Sequence, residues 1–135
     1  MGLMTVLFVT ERGRAKTYNP ASPGHIERAQ LGGLTSLEFE TLWAILQGEE
    51  WSPEKHALRE VVSLEESWIH EFPGSYVEKL RALGGSEMAS AAAQWAATEE
   101  ISSTADQVLP IIEQLVSLAR SAAAKRKSLF VWVAL

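Results

Sequence analysis

An α+β fold, mostly helical with about five helices packed on a small sheet, follows from three features of this sequence. Both ends look like strands: Thr5-Val6-Leu7-Phe8-Val9 and Leu129-Phe130-Val131-Trp132-Val133 are short, apolar and rich in β-branched and aromatic residues. Between them, apolar residues recur at helical spacing in several stretches. One of these, Leu34 to Gly48, also carries the signals for its own two ends. The simplest arrangement pairs residues 3–10 with residues 129–135 and lays the helices over that sheet, in one domain spanning residues 1–135.

Residues 3–10 read as a strand, partly or wholly buried, and Tyr18-Asn19-Pro20-Ala21-Ser22-Pro23-Gly24 as an ordered loop of turn-forming residues. A short helix is expected from His25 to about Leu31, closed by Gly32-Gly33. In the next helix Thr35 and Glu38 have capping-box spacing, and Leu34 and Phe39 sit where a hydrophobic staple closes the first turn. Phe39, Leu42, Trp43 and Leu46, widened by Ile45, form its buried stripe, and Gly48 can take the left-handed conformation that stops it. Ser52-Pro53-Glu54 opens another helix, which fades from Glu60 to Ser63 because Val61-Val62 are poor helix formers. Leu64 to Phe72 reads as a short helix or an extended linker.

Pro73 then starts a helix with Tyr76, Val77, Leu80 and Leu83 inward, stopped by Gly84-Gly85. Ser86 caps the following one, whose inward Met88, Ala91, Ala92, Trp95 and Ala96 let a neighbouring helix approach closely. The last helix runs from about Asp106 to Lys125 and buries Val108, Ile112, Leu115, Val116 and Ala119. The final strand is apolar on both faces, the pattern of a strand covered on both sides. If the chain leaves its outer face or edge bare, a second copy pairing through the sheet is expected to cover it.

Seventeen acidic against twelve basic residues give a net charge of -5. That balance opposes nucleic acid and anionic membranes and suits a protein partner with a basic surface. The absence of cysteine excludes disulfides, thiolate metal sites and cysteine nucleophiles. No apolar run reaches the roughly 18 residues of a membrane span. The start has neither a basic leader nor a small-residue cleavage site, so a cytoplasmic location is expected.

Chemical motifs are sparse. His25, His56 and His70 lack the spacing of a metal site, and no nucleophile elbow, Walker motif or dinucleotide fingerprint occurs, so neither metal nor cofactor is expected. Neighbouring carboxylates at Glu49-Glu50, Glu65-Glu66 and Glu99-Glu100 diverge by about 100° when helical, which is the geometry of a solvated face. Glu99 is the exception. One turn beyond Trp95, it is expected half-buried beside the indole, with Arg81 or Arg59 as partner or with a raised pKa.

Of five tryptophans, Trp43, Trp95 and Trp132 fall on core faces, whereas Trp51 and Trp68 lie in less regular segments beside acids. The first functional expectation is therefore a non-catalytic protein-binding module. Its acidic, aromatic surface comprises Trp51, Trp68, Glu49, Glu50, Glu65 and Glu66, as in an immunity- or antitoxin-like neutraliser. The second is a small enzyme or small-ligand sensor with a polar pocket around Glu99 and His70. A deep polar pocket favours the second; a flat acidic patch with exposed indoles favours the first.

Overall fold

The structure, a computed structural model, describes residues 3–19, 24, 26–99, 101 and 103–135. Its strands are β1 (Met4–Thr10), β2 (Glu27–Gly32), β3 (Arg59–Ser63), β4 (Ser67–Glu71) and β5 (Ser128–Ala134). They form one antiparallel sheet in the order β2-β1-β5-β4-β3. The two ends of the chain meet as expected, paired from Met4↔Ala134 to Thr10↔Ser128. β1 and β5 are interior strands of this sheet, which is why both are apolar on both faces.

The other strands correct the sequence reading. Residues 27–32 are a strand rather than a helix, half-buried and exposed in alternation, and paired with β1 from Met4↔Gly32 to Val9↔Glu27. His25, where that helix was expected to begin, lies outside the described residues. The helix opened by Ser52-Pro53 lasts a single turn, α2 (Pro53–His56), and the segment from Leu64 to Phe72 contains β4. Val61, Val62, Trp68 and Ile69 suit a pleated surface, and β5 offers an edge on which β4 builds a ladder from Ser67↔Ala134 to Glu71↔Phe130. β3 then adds to β4, with a bulge between Glu60 and Val62.

Four longer helices, α1 (Ser36–Gln47), α3 (Gly74–Arg81), α4 (Gly85–Ala96) and α5 (Ala105–Lys125), pack against Leu7, Val9, Leu129, Val131 and Val133 on one face of the sheet. α1 has the predicted ends: the Glu38 carboxylate accepts the Thr35 amide at 3.2 Å, and Gly48 takes φ 69°. Its first turns are held from the side as well. The Tyr76 hydroxyl donates to the Phe39 carbonyl at 2.6 Å, the Trp95 indole N–H donates to the Glu38 carbonyl at 2.9 Å, and Trp43 stacks on Tyr76 at 4.6 Å. The N-cap of α4 is Gly84 rather than Ser86, because Glu87 reaches back to the Gly84 amide at 3.0 Å.

The opposite face is covered by the chain itself, in part. A 3₁₀ segment, Arg12–Thr17, brings Ala15 and Tyr18 onto Val6, Phe8, Ile69 and Phe130, with Tyr18 stacked on Phe8 at 3.9 Å. Trp132 lies half-buried on this face. Arg12 ties the segment down through Glu71, which is buried and receives the Arg12 Nε at 2.9 Å, a second guanidinium nitrogen at 2.9 Å and the Arg59 Nε at 3.6 Å. Among the described residues, no helix is long and apolar enough to cross a membrane.

Candidate functional site

Alternation along β4 sends Ile69 and Glu71 to the 3₁₀ side of the sheet and Trp68 and His70 to the helix-bearing side. The neighbouring strands set Glu60 opposite His70 and Val133 opposite Trp68. The start of α1 is brought to the same place by β1. The Thr5 hydroxyl donates to the Leu34 carbonyl at 2.5 Å, and the Gly33 amide donates to the Leu3 carbonyl at 3.3 Å. At the other terminus the Leu135 amide donates to the Glu66 carbonyl at 2.9 Å, fixing Leu135 against the β3–β4 turn.

Beside these contacts opens a cavity of about 500 Å³ lined by Leu3, Thr35, Ser36, Glu60, Trp68, His70, Val133 and Leu135. That volume is in the range of small-molecule sites, and the walls are mainly apolar with a few polar groups, as such sites usually are. The large apolar side chains exposed among the described residues are Met4, Leu37, Trp51, Leu64 and Leu135. Of these, Leu135 lines the cavity, Leu37 follows the lining Ser36 in α1, Met4 falls on the 3₁₀ side of the sheet with Val6 and Phe8, and Leu64 stands in the β3–β4 turn with Glu65 and Glu66, both exposed.

His70 is the unusual polar group. Its Nδ1 is shut away from solvent with no hydrogen-bond partner among the described residues. Burial lowers its pKa below the ordinary value, outweighing the nearby carboxylates of Glu60 and Glu40, which act to raise it. The ring is therefore neutral at pH 7. An N–H at Nδ1 would be buried and unsatisfied, so the proton belongs on Nε2. Glu40 is buried on α1, where its carboxylate accepts the Leu58 amide at 3.1 Å and fixes the chain just before β3.

The structure thus joins one residue from each functional expectation, Trp68 and His70, in a single cavity. Glu65 and Glu66 flank it. Trp51, Glu49 and Glu50 adjoin the other end of α1, a helix about 18 Å long at 1.5 Å per residue. There Trp51 is 43% exposed and Glu50 is exposed, while Glu49 pairs with Lys55 at 3.1 Å and lies 3.8 Å from the Nε2 of buried His56. The hydrogen bond from Lys55 lowers the Glu49 pKa.

Glu99 is a correction. It is exposed rather than half-buried, and it does not line the cavity, because α4 ends at Ala96 and the one-turn relation to Trp95 is lost. The expected arginine partners are engaged elsewhere, Arg81 with Glu78 at 2.7 Å and Arg59 with Glu71. Sequence reasoning missed Leu3, Thr35, Ser36, Glu60, Val133 and Leu135 as lining residues, because only sheet order brings them together. Among the described residues, no group of three or more histidines and acids could hold a metal ion.

No protein-family model matches this chain, and neither a curated protein nor a solved structure matches it.

Proposed function

We propose that the chain is a non-catalytic binding module and that it recognises its partner at the cavity between β4, the ends of β1 and β5, and the first turn of α1. The observation that carries this reading is an open, mainly apolar cavity of about 500 Å³ with the Trp68 indole in its wall and the exposed Leu135 at its edge. The Trp68 indole serves as the anchor, and Glu60, Glu65 and Glu66 steer a basic partner toward it. Acid and base work by two carboxyls needs both of them across the substrate, and the lining supplies one, Glu60. A small-ligand sensor is the second reading, favoured by the size of the cavity and by His70 inside it.

The test uses small aromatic and aliphatic compounds as generic occupants, followed by amide and indole NMR shifts. Residues lining the cavity should move on titration, and Ser36→Trp, which fills the mouth from the start of α1, should abolish the response. The reading is overturned if no compound shifts a lining residue, or if the shifts survive in the filled variant.

A further inference from the structure

Resting on that reading, we infer that the cavity takes an organic cation, an ammonium or guanidinium group carried on an apolar body. Three observations carry this. The first is charge: among the described residues Glu60 is the one acidic side chain lining the cavity, and no lysine or arginine side chain joins it. Glu60 is exposed at the mouth and has no ion-pair partner among the described residues. The carboxylates around it repeat its sign. Glu38 sits on Thr35 at the start of α1, where it offsets the positive end of the helix dipole, Glu40 lies behind His70, and Glu65 and Glu66 stand in the adjoining turn.

The second observation is the Trp68 indole in the wall, a surface that attracts cations through its ring electrons. The third is His70, which is neutral at pH 7 and so supplies no positive charge to Glu60. An anionic occupant would face Glu60 with no cation in the lining. A neutral occupant would cover Glu60 without replacing the water it displaces. A cation on an apolar body satisfies the carboxylate, the indole and the apolar walls together.

The experiment titrates three molecules of one shape, 2-phenylethylammonium, 2-phenylethanol and 3-phenylpropionate, into the protein at neutral pH, read by NMR shifts of lining residues. The ammonium should bind about tenfold more tightly than the alcohol, the worth of one ion pair plus one ring contact, and the carboxylate most weakly. Glu60→Gln should remove the ion-pair share of the ammonium's advantage over the alcohol, leaving only the smaller share due to the ring contact. In the unaltered protein, high salt should weaken the ammonium alone. A blocked peptide carrying phenylalanine next to lysine, run beside the free amine, assigns the cation to a partner's side chain if it binds more tightly and to a small molecule if it binds less tightly. Equal affinity for ammonium and alcohol, or tightest binding of the carboxylate, overturns the inference while leaving the cavity as a binding site. Failure of all the ligands to bind overturns the proposed function as well.

Discussion

Replacing Arg12 should cost this protein more than replacing the carboxylate it holds. The side chain of Glu71 is 4% exposed and that of Arg12 is 65% exposed, so the two members of the pair differ in what their loss leaves behind. Arg12→Ala strands a carboxylate in the sheet face with only Arg59 at 3.6 Å to balance it. Breaking a buried pair costs about 3–5 kcal/mol; the remaining arginine and the water near an exposed partner reduce that here to about 2–3 kcal/mol. Glu71→Gln leaves a guanidinium free to turn to solvent and an amide oxygen that still accepts from it, for a loss of about 1 kcal/mol. The charge is what makes Arg12 valuable, so adding Arg12→Ala to Glu71→Gln should cost almost nothing further. Urea unfolding followed by tryptophan fluorescence gives all three numbers, and an unchanged m-value shows that the comparison is sound. In a thermal scan the single Arg12 variant should melt about 7–10 °C lower. If Arg12→Ala costs no more than Glu71→Gln, or if the double variant equals the sum of the two within about 0.5 kcal/mol, the buried-charge reasoning is wrong.

Tyr76→Phe removes a donor to the Phe39 carbonyl from a fully buried site and should lower stability by about 1 kcal/mol in denaturant melts, with no change in ligand binding. Gly48→Ala places a Cβ in open space but at φ 69°, so its cost is backbone strain alone, about 1 kcal/mol by the same assay. Because burial lowers the His70 pKa, the unfolded chain takes up a proton that the folded chain refuses between that lowered value and the ordinary 6.5. The stabilisation is complete above 6.5 and should decline as the pH falls through this window; in His70→Gln the decline should disappear from a plot of unfolding free energy against pH. Trp68→Ala, which opens a half-buried wall of the cavity, should cost about 1–2 kcal/mol and eliminate binding of the aromatic ammonium; retained affinity at the titration endpoint would place the site elsewhere.

Local chemistry determined a good part of this molecule. The ends of α1 are written in Thr35, Glu38 and Gly48, the inward faces of α3 and α5 in their spacing, and the pairing of the termini in two short apolar runs. The same local chemistry misread Glu27–Gly32, Arg59–Ser63 and Ser67–Glu71, because mixed polar and apolar residues become strands only when a neighbour completes their hydrogen bonds. It also misplaced Glu99, since no residue near Ala96 announces where α4 stops.

The cavity belonged wholly to the tertiary structure. His70 and Glu60 are ten residues apart in the chain, while Leu3, Ser36 and Val133 come from elements remote from both, and the order β1-β5-β4-β3 carries them to one spot. Residue type and periodicity decide which way a side chain faces along its own strand or helix. Which other side chains it then meets depends on long-range pairing, whose free energy is shared across the sheet and has no signature in any single stretch of sequence.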